Sequence, residues 1–419
     1  MREMKDSGIE WIGNIPAHWS TMPNKYVMRK IKVINPTYNG ENILSLTVNG
    51  VIVRDLEAGG KMPSSFDGYQ ILYKGNLLMC LFDYDVTPRC IGLIKDSGIS
   101  SPAYSQFVLQ RGNDAAYFYY YYLMVDHTKA LLHRAKNLRH SFTEEQLGAI
   151  KVPVPPITEQ KRIADFLDSK CSEIDAISAD IQKEIETLEQ YKRSVITEAV
   201  TKGLNPDAEM KDSGIGYIGI IPNHWVVEKI KYHLKYRGNR NPGNVQVLSV
   251  YREYGVVPKD SRDDNHNVTS EDTSNYRYVR VGDFVINKMK AWQGSMAISD
   301  YEGIVSPAYY VYEFSDEDFN KKYFHYLLRN KMYATEFLRV SGGIRVGQWD
   351  LSAYDFENTM VPMPPIGEQK KIAAFLDAKS TEINLLIGEK KRQLEVLDSY
   401  KKSLIYEYVT GKKEVPVQN

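Results

Sequence analysis

The six residues Gly214-Ile215-Gly216-Tyr217-Ile218-Gly219 match the spacing GxGxxG, which in a strand–turn–helix passage lets backbone N–H groups approach a pyrophosphate. Nothing around them has that passage, and a second copy of the stretch carries Glu10 in place of the middle glycine. A coincidence of glycines is the better reading. Asn35-Pro36-Thr37-Tyr38 is close to the Asn-Pro-Pro-Tyr loop of amino-methyltransferases, but the second proline is missing and no Gly-rich cofactor loop follows a strand elsewhere. Asp207, Glu209 and Lys211 have the residue types of a metal-dependent nuclease, yet they crowd into a polar linker. No Walker A string, HExxH, GxSxG or Cys/His ligand spacing occurs. As an enzyme the chain looks empty, and function falls to binding.

Binding chemistry is better represented. Arg277, Arg280, Lys288, Lys290, Trp292, Gln293 and Ser295 interleave cations, an aromatic ring and amide or hydroxyl donors. Arg345, Gln348 and Trp349 follow Gly342-Gly343, Arg139, His140 and Ser141 occupy a comparable loop earlier, and Arg89 is a further candidate for DNA contact. Arg and Gln can read base edges with two hydrogen bonds, while Lys and Ser hold phosphates. Taken singly, each is explained by a solvated face. Taken as two loop sets in matching places, they favour contact with double-stranded DNA. The segment 20–151 adds 15 Lys/Arg against 11 Asp/Glu.

The elements that must position these loops come in duplicate. VPVPPITEQKRIADFLD at 152–168 and VPMPPIGEQKKIAAFLD at 361–377 are identical at 13 of 17 positions. MKDSGIEWIGNIPAHW at 4–19 and MKDSGIGYIGIIPNHW at 210–225 are identical at 12 of 16. Each half is therefore a strap, a globular segment and a helix, with boundaries expected at 1–155, 156–203, 204–364 and 365–419. The prolines hold the chain extended up to Ile157, where Thr158 is the expected N-cap and Glu159 adds charge to the first turn. Apolar residues then recur at Ile163, Phe166, Leu167, Ile174, Ile177, Ile181, Ile185, Leu188, Tyr191 and Val195. The second copy has Ile372, Phe375, Leu376, Ile383, Leu386, Leu394, Leu397, Tyr400 and Leu404. Steps of three, four and seven draw one stripe along a rod of roughly 65 Å. Of these, Ile163, Leu167, Ile174, Ile181, Leu188, Ile372, Leu376, Ile383, Leu394 and Leu397 are assigned to a helix–helix or subunit interface.

Between strap and rod, short β-like runs (43–48, 51–53, 76–82, 90–94, 104–109) precede a tyrosine-rich helix at 115–132. The second half repeats that order, with a helix at 323–337. This predicts an α/β chain: a tandem duplication of a mixed α/β domain plus a long helix, the two helices packed as an antiparallel coiled coil with pseudo-two-fold symmetry. The straps and rods stay nearly identical while the globular segments diverge, as two reading surfaces on one mechanical frame would. His18 and His224 lack ligand partners at metal spacing and are read as structural. The 30 tyrosines suit rigid, half-polar contact surfaces.

Net charge is zero, so a nucleic-acid surface must be local. No apolar run reaches the ~18 residues of a membrane span, and MREMKDSG is no signal peptide. Three cysteines without metal spacing (Cys80, Cys90, Cys171) suit a reducing cytoplasm.

The paired DSGIEWIGNIPAHW and VPxPPxxEQKxIAxFLD strings resemble those of the specificity subunits of type I restriction–modification systems. The resemblance covers nearly the whole chain. It implies two target recognition domains, each reading half of a split DNA sequence, joined by long antiparallel helices. It also implies docking of two modification (methyltransferase) subunits, with restriction subunits joining for cleavage and no membrane partner. No catalytic residue, metal or cofactor is then expected on this chain; S-adenosylmethionine, ATP and Mg belong to the partner subunits. Two other readings, a fused DNA methyltransferase and a coiled-coil adaptor that binds protein, lack motifs of their own.

Overall fold

The computed structural model describes residues 2–57, 63–135, 140–243, 245–252, 254–261, 269–315, 319–343 and 349–416. They form two compact units, Met1–Gln182 with Lys391–Asn419, and Lys183–Lys390. These divisions differ from the boundaries expected above, because each unit keeps the start of one long helix and the end of the other. The helices are α1 (Ala115–His127), α2 (Glu144–Ala149), α3 (Ile157–Lys202), α4 (Lys321–Leu328), α5 (Lys331–Val340), α6 (Ala353–Asn358) and α7 (Ile366–Val409).

Each unit is built on a four-stranded antiparallel sheet of the same order. In the first it runs Met28–Ile31, Ser105–Leu109, Leu77–Met79, Ile91–Leu93. In the second it runs Leu234–Tyr236, Tyr309–Phe314, Phe284–Asn287, Met296–Ile298. The straps are β-hairpins, Met4–Asp6 with Asn14–Pro16 and Met210–Asp212 with Ile220–Pro222. The proline runs form two-stranded ribbons, Lys151–Val154 on Ser20–Pro23 and Met360–Met363 on Val226–Lys229. Two-stranded ribbons tolerate proline because each strand has a free edge.

Both long helices start directly after those ribbons. The Pro156 carbonyl accepts from the N–H groups of Glu159 (2.8 Å) and Gln160 (3.0 Å), and Pro365 does the same for Glu368 (2.8 Å) and Gln369 (3.0 Å). Thr158 therefore lies inside the first turn and is not the N-cap, so its replacement by Gly367 in the second copy removes no cap. Glu159 has another task. It accepts from Trp19 Nε1 (2.9 Å) and Arg2 (2.6 Å) and pairs with His18 (2.6 Å). Glu368 meets Trp225 Nε1 (3.1 Å) and His224 (2.8 Å) in the same way. Both tryptophans are fully buried. Burial raises the Glu159 pKa, but the bonds from Trp19, His18 and Arg2 outweigh it and hold the carboxyl below its ordinary range.

The adjacent glutamine ties in the globular segment. Gln160 accepts from the backbone N–H of Asp114 (2.8 Å) and donates to the Pro155 carbonyl (2.8 Å). Gln369 repeats this with Asn320 (3.0 Å) and Pro364 (2.9 Å). Asp114 and Asn320 in turn N-cap α1 and α4 through Tyr117 N and Tyr323 N. From those helices Tyr120 donates to Asp168 (2.6 Å) and Tyr326 to Asp377 (2.8 Å). Tyr117 donates to the Val409 carbonyl (2.9 Å), a last-turn acceptor that a helix leaves open, and the Tyr323 hydroxyl lies between the carbonyls of Pro362 (2.9 Å) and Val200 (3.3 Å). Tyr117, Tyr120, Tyr121 and Tyr122 are all buried, so this group of tyrosines builds core rather than contact surface.

Within the first unit α3 and α7 run in opposite directions: Phe166 stacks on Tyr408 (ring centroids 4.5 Å) and Lys401 donates to Asp175 (2.6 Å). Within the second, Glu184 pairs with Lys390 and Lys192 donates to Asn384 (2.8 Å). Ile163, Leu167, Ile174, Ile372, Leu376 and Ile383 are buried, and Ile181, Leu188, Leu394 and Leu397 are half-buried. Ile177, Tyr191, Phe375, Leu386 and Tyr400, expected on the same stripe, are exposed. A 3.6-residue turn drifts against seven-residue steps, and Cys171 and Ile387 are buried instead. The expected helix at 323–337 is two helices, because the Asn330 side chain caps α5 through Met332 N (3.0 Å). The expected helix at 115–132 ends at His127.

Gln160→Ala should cost about 2–4 kcal/mol in urea unfolding, since it leaves a part-buried N–H and a buried carbonyl unpaired. Gln160→Glu, which keeps the acceptor, should recover part of that loss; equal losses would contradict the two-sided role. A second expectation concerns His325, which burial foremost and then the Arg329 guanidinium push down to about 3. The unfolded chain takes up this proton below about 6.5 while the folded chain does not. Stability is thus whole above about pH 6.5 and falls as pH drops toward 3. His325→Gln should flatten that limb relative to wild type, and an identical limb would show that this ring is not responsible.

Candidate nucleic-acid interface

The enzyme-like strings resolve into turns. Gly214 and Gly219 take left-handed backbone (φ 73° and 74°) in the strap hairpin, as Gly8 and Gly13 do in the first (φ 66° and 68°). No helix follows either hairpin. The Asn35 backbone N–H donates to Tyr69 O (2.7 Å) and its side chain to Glu41 (3.0 Å). Asn241, also before a proline, donates to Tyr276 O (2.9 Å) and through its side chain to Thr273. Asn-Pro is therefore a duplicated structural turn, its carboxamide already engaged. Among the described residues no group of His, Cys, Asp or Glu could hold a metal ion. Nor, among them, is any helix long and apolar enough to cross a membrane.

In each unit the sheet instead brings two loops together. The first loop of each pair joins the third and fourth strands of the sheet, and the second precedes the last short helix. In the second unit the Leu351 N–H donates to Lys288 O (3.1 Å), and Lys288 Nζ pairs with Asp350 (2.9 Å). Trp292 meets Trp349 edge to face at 5.1 Å. Gly342 and Asp350 exchange both backbone hydrogen bonds, which fixes Trp349 in this place. In the first unit the Phe142 N–H donates to Leu81 O (2.7 Å), Tyr84 N–H to His140 O (3.3 Å), and His140 Nδ1 lies 3.0 Å from Asp85 without hydrogen-bond alignment. The construction is the same and the side chains are not.

The sequence-selected residues divide on this geometry. Lys288, Trp292 and Trp349 meet in the second loop pair; Lys290 is exposed beside them and Gln293 half-buried. Ser295 is 3% exposed, so burial removes it from any contact set. Arg277 lies off the loops, its guanidinium between the rings of Tyr236 (5.4 Å) and Tyr310 (5.5 Å) and bonded to the Tyr236 hydroxyl. It is a fixed positive charge rather than a swinging reader. In the first unit His140 and Ser141 sit in the loop pair. Arg89 does not point outward: it donates to Val48 O and to the Tyr119 hydroxyl (2.9 Å). Arg139, Arg345 and Gln348 lie outside the described residues.

Sequence reasoning missed the acids. Asp83 and Asp85 stand in the first hairpin loop, whose counterpart in the second unit carries Lys288 and Lys290 at other places. Ser101-Pro102-Ala103-Tyr104 and Ser306-Pro307-Ala308-Tyr309 form the same turn, but the hairpin loop before it is two residues longer in the first unit, so that match does not place the acids. Asp83 (φ 48°), Lys129 (φ 47°) and His140 (φ 41°) are the described non-glycine residues with left-handed backbone. Two of them are in the loop pair. Lys129 braces it, donating to Thr87 O (2.8 Å) and Asp126 (2.8 Å), while Asp126 accepts from Cys90 N–H (2.8 Å). Such conformations cost roughly 1–2 kcal/mol each, and strain of this kind gathers at functional loops.

Comparison with known proteins agrees with this architecture. A family model for the type I restriction modification DNA specificity domain matches residues 80–187 and 224–396. The type I restriction enzyme MjaVIII specificity subunit of Methanocaldococcus jannaschii is 28% identical over 287 residues, 64% of this chain and 63% of that protein. Its MjaX counterpart in the same organism is 28% identical over 298 residues, 68% of this chain and 64% of that protein. The matches thus span less than two thirds of those relatives' lengths. A solved chain from a study of type I R-M complex assembly and conformational transition shares the fold, with a TM-score of 0.68 at 14% identity, covering 95% of this chain and 99% of its own. The two matched stretches together make up more than half of the sequence, and the chain belongs to the type I restriction modification DNA specificity domain family.

Proposed function

We infer that this chain is the non-catalytic DNA-recognition subunit of a type I restriction–modification complex, each unit reading one half of a bipartite target. The observation that carries this is the loop pair found at the same place in both units, on a repeated frame, with different side chains in each. Repeated frames give repeated placement; divergent loops give two different half-sites. In the second unit Lys290 and Arg277 supply phosphate contacts, Trp292 and Trp349 a rigid aromatic wall, and Arg345 and Gln348 the base-edge donors. In the first, His140 and Ser141 do so in the loop pair that holds Asp83 and Asp85, with Arg139 assigned to the same task, and carboxylates accept from cytosine amino groups.

Long helices that pair with opposite direction inside each unit support an antiparallel coiled coil with a pseudo-two-fold axis. The two loop pairs would then meet inverted half-sites, as in dimeric DNA-binding proteins. On this reading the helices set the spacer and dock two modification subunits, restriction subunits join for cleavage, and the complex works in the cytoplasm. S-adenosylmethionine, ATP and Mg act on the partners.

Exchanging segment 20–151 for that of a relative should change one half-site and leave the other intact when methylation is mapped with the partner subunits present. Both halves changing together would contradict one unit per half-site. Lys290→Ala should weaken all duplexes alike and reduce the log–log salt slope by about 1. Arg345→Ala or Gln348→Ala should relax one base pair of the second half-site by ~1–3 kcal/mol. Unchanged binding in all three would place the DNA surface elsewhere.

A further inference from the structure

The hairpin loop of the first unit closes on two cysteines. The strands register Met79 with Ile91, and the next rung sets Cys80 against Cys90, with Cys80 N–H donating to Cys90 O (2.9 Å). This rung keeps one of its two backbone bonds, since the Cys90 N–H donates to Asp126 (2.8 Å). Residues facing each other across antiparallel strands have Cα atoms about 4.5–5.5 Å apart, inside the Cα range a disulfide spans. The two side chains also share surroundings. Cys80 Sγ lies 4.0 Å from Thr87 Oγ1 and Cys90 Sγ 3.8 Å from Thr87 O, and both line one cavity of about 30 Å³ with Tyr84, Tyr122 and Phe142. The second unit has the same rung with Asn287 N–H donating to Ser295 O (3.0 Å), and neither residue there can oxidise.

We propose that Cys80 and Cys90 are a dithiol site that closes to a disulfide on exposure to a low-molecular-weight disulfide, locking loop 81–89 of the first unit alone. The thiolate of one cysteine attacks a sulfur of the reagent, forming a mixed disulfide and releasing one thiol. The second thiolate attacks the protein sulfur of that adduct, forming Cys80–Cys90 and releasing the other thiol. Two S–H bonds are lost, one S–S bond is exchanged for another, and the reagent is reduced. Burial foremost pushes both thiols up, Cys90 further through Asp126, so the first attack waits for the loop to open. The second is then intramolecular and fast, which prevents the adduct from accumulating.

The consequence for recognition rests on the reading above, that loop 81–89 serves the first half-site. The test incubates the full chain with oxidised glutathione. Intact mass should fall by two hydrogens, peptide mapping should join Cys80 to Cys90 with Cys171 free, and amide exchange over 81–89 should slow, all reversed by reductant. The pair Cys80→Asn with Cys90→Ser, which copies the second unit, should fold and show none of these changes. A stable glutathione adduct on either cysteine, a cross-link to Cys171, or no cross-link after exhaustive oxidation overturns the proposal. In the complex, oxidation should alter methylation at the first half-site only. A mapped disulfide and a slowed loop with both half-sites unaffected would leave the dithiol site standing and remove loop 81–89 from DNA reading.

Discussion

Everything in each unit hangs on two adjacent side chains in the first turn of a long helix. Glu159 and Glu368 face the strap and accept the indole N–H of a buried tryptophan. Gln160 and Gln369 face the globular segment and accept the backbone N–H of the residue capping its tyrosine-bearing helix. The carbonyls of Pro156 and Pro365 take the N–H groups of the first turn, which leaves the glutamate and glutamine side chains to bond outward to strap and globular segment. A carboxylate and a carboxamide side by side do so in two directions at once. Strap, helix and globular segment meet at one point, and their relative orientation is set there.

That constraint explains why the repeated strings survive within this chain while the loops do not. A substitution at Gln160 strands buried polar groups; a substitution at Lys290 meets water. The loop pair is held by backbone bonds, Phe142 to Leu81 and Leu351 to Lys288, which any side chain permits. Loop chemistry can therefore change without moving the loop. The first unit has become acidic and strained at this place, the second basic and aromatic, on the same four-stranded sheet.

Much of this was legible in the sequence, for definite reasons. Proline runs followed by an unbroken three-four periodicity have few other solutions, and the helix starts and the duplication followed from them. The glycine string and Asn35-Pro36 lack the strand–turn–helix context that chemistry needs, and both form turns. Thr158 misled because N-cap preference is statistical, whereas the geometry gave that task to the Pro156 carbonyl. Ser295 and Arg89 misled because residue type does not reveal direction: one is buried in a hairpin rung, the other is bound to Val48 and Tyr119. The acids Asp83 and Asp85 were invisible to a search for cations. The tyrosines do not announce themselves as core in the sequence, because their hydroxyl partners, Val409, Pro362, Asp168 and Asp377, lie far away along the chain.

If, as proposed, the two long helices set the distance between two readers, lengthening both should change it. Gln182 and Lys391 occupy equivalent places in the two copies of the helix. Inserting four residues after each adds about one turn, ~6 Å, to both helices. Methylation mapping of cells carrying the lengthened subunit with its partners measures the outcome directly. Both half-site sequences should stay unchanged and the non-specific spacer should lengthen by one or two base pairs, at ~3.4 Å each. A folded, lengthened subunit that still methylates only the original spacing would contradict that role of the helices.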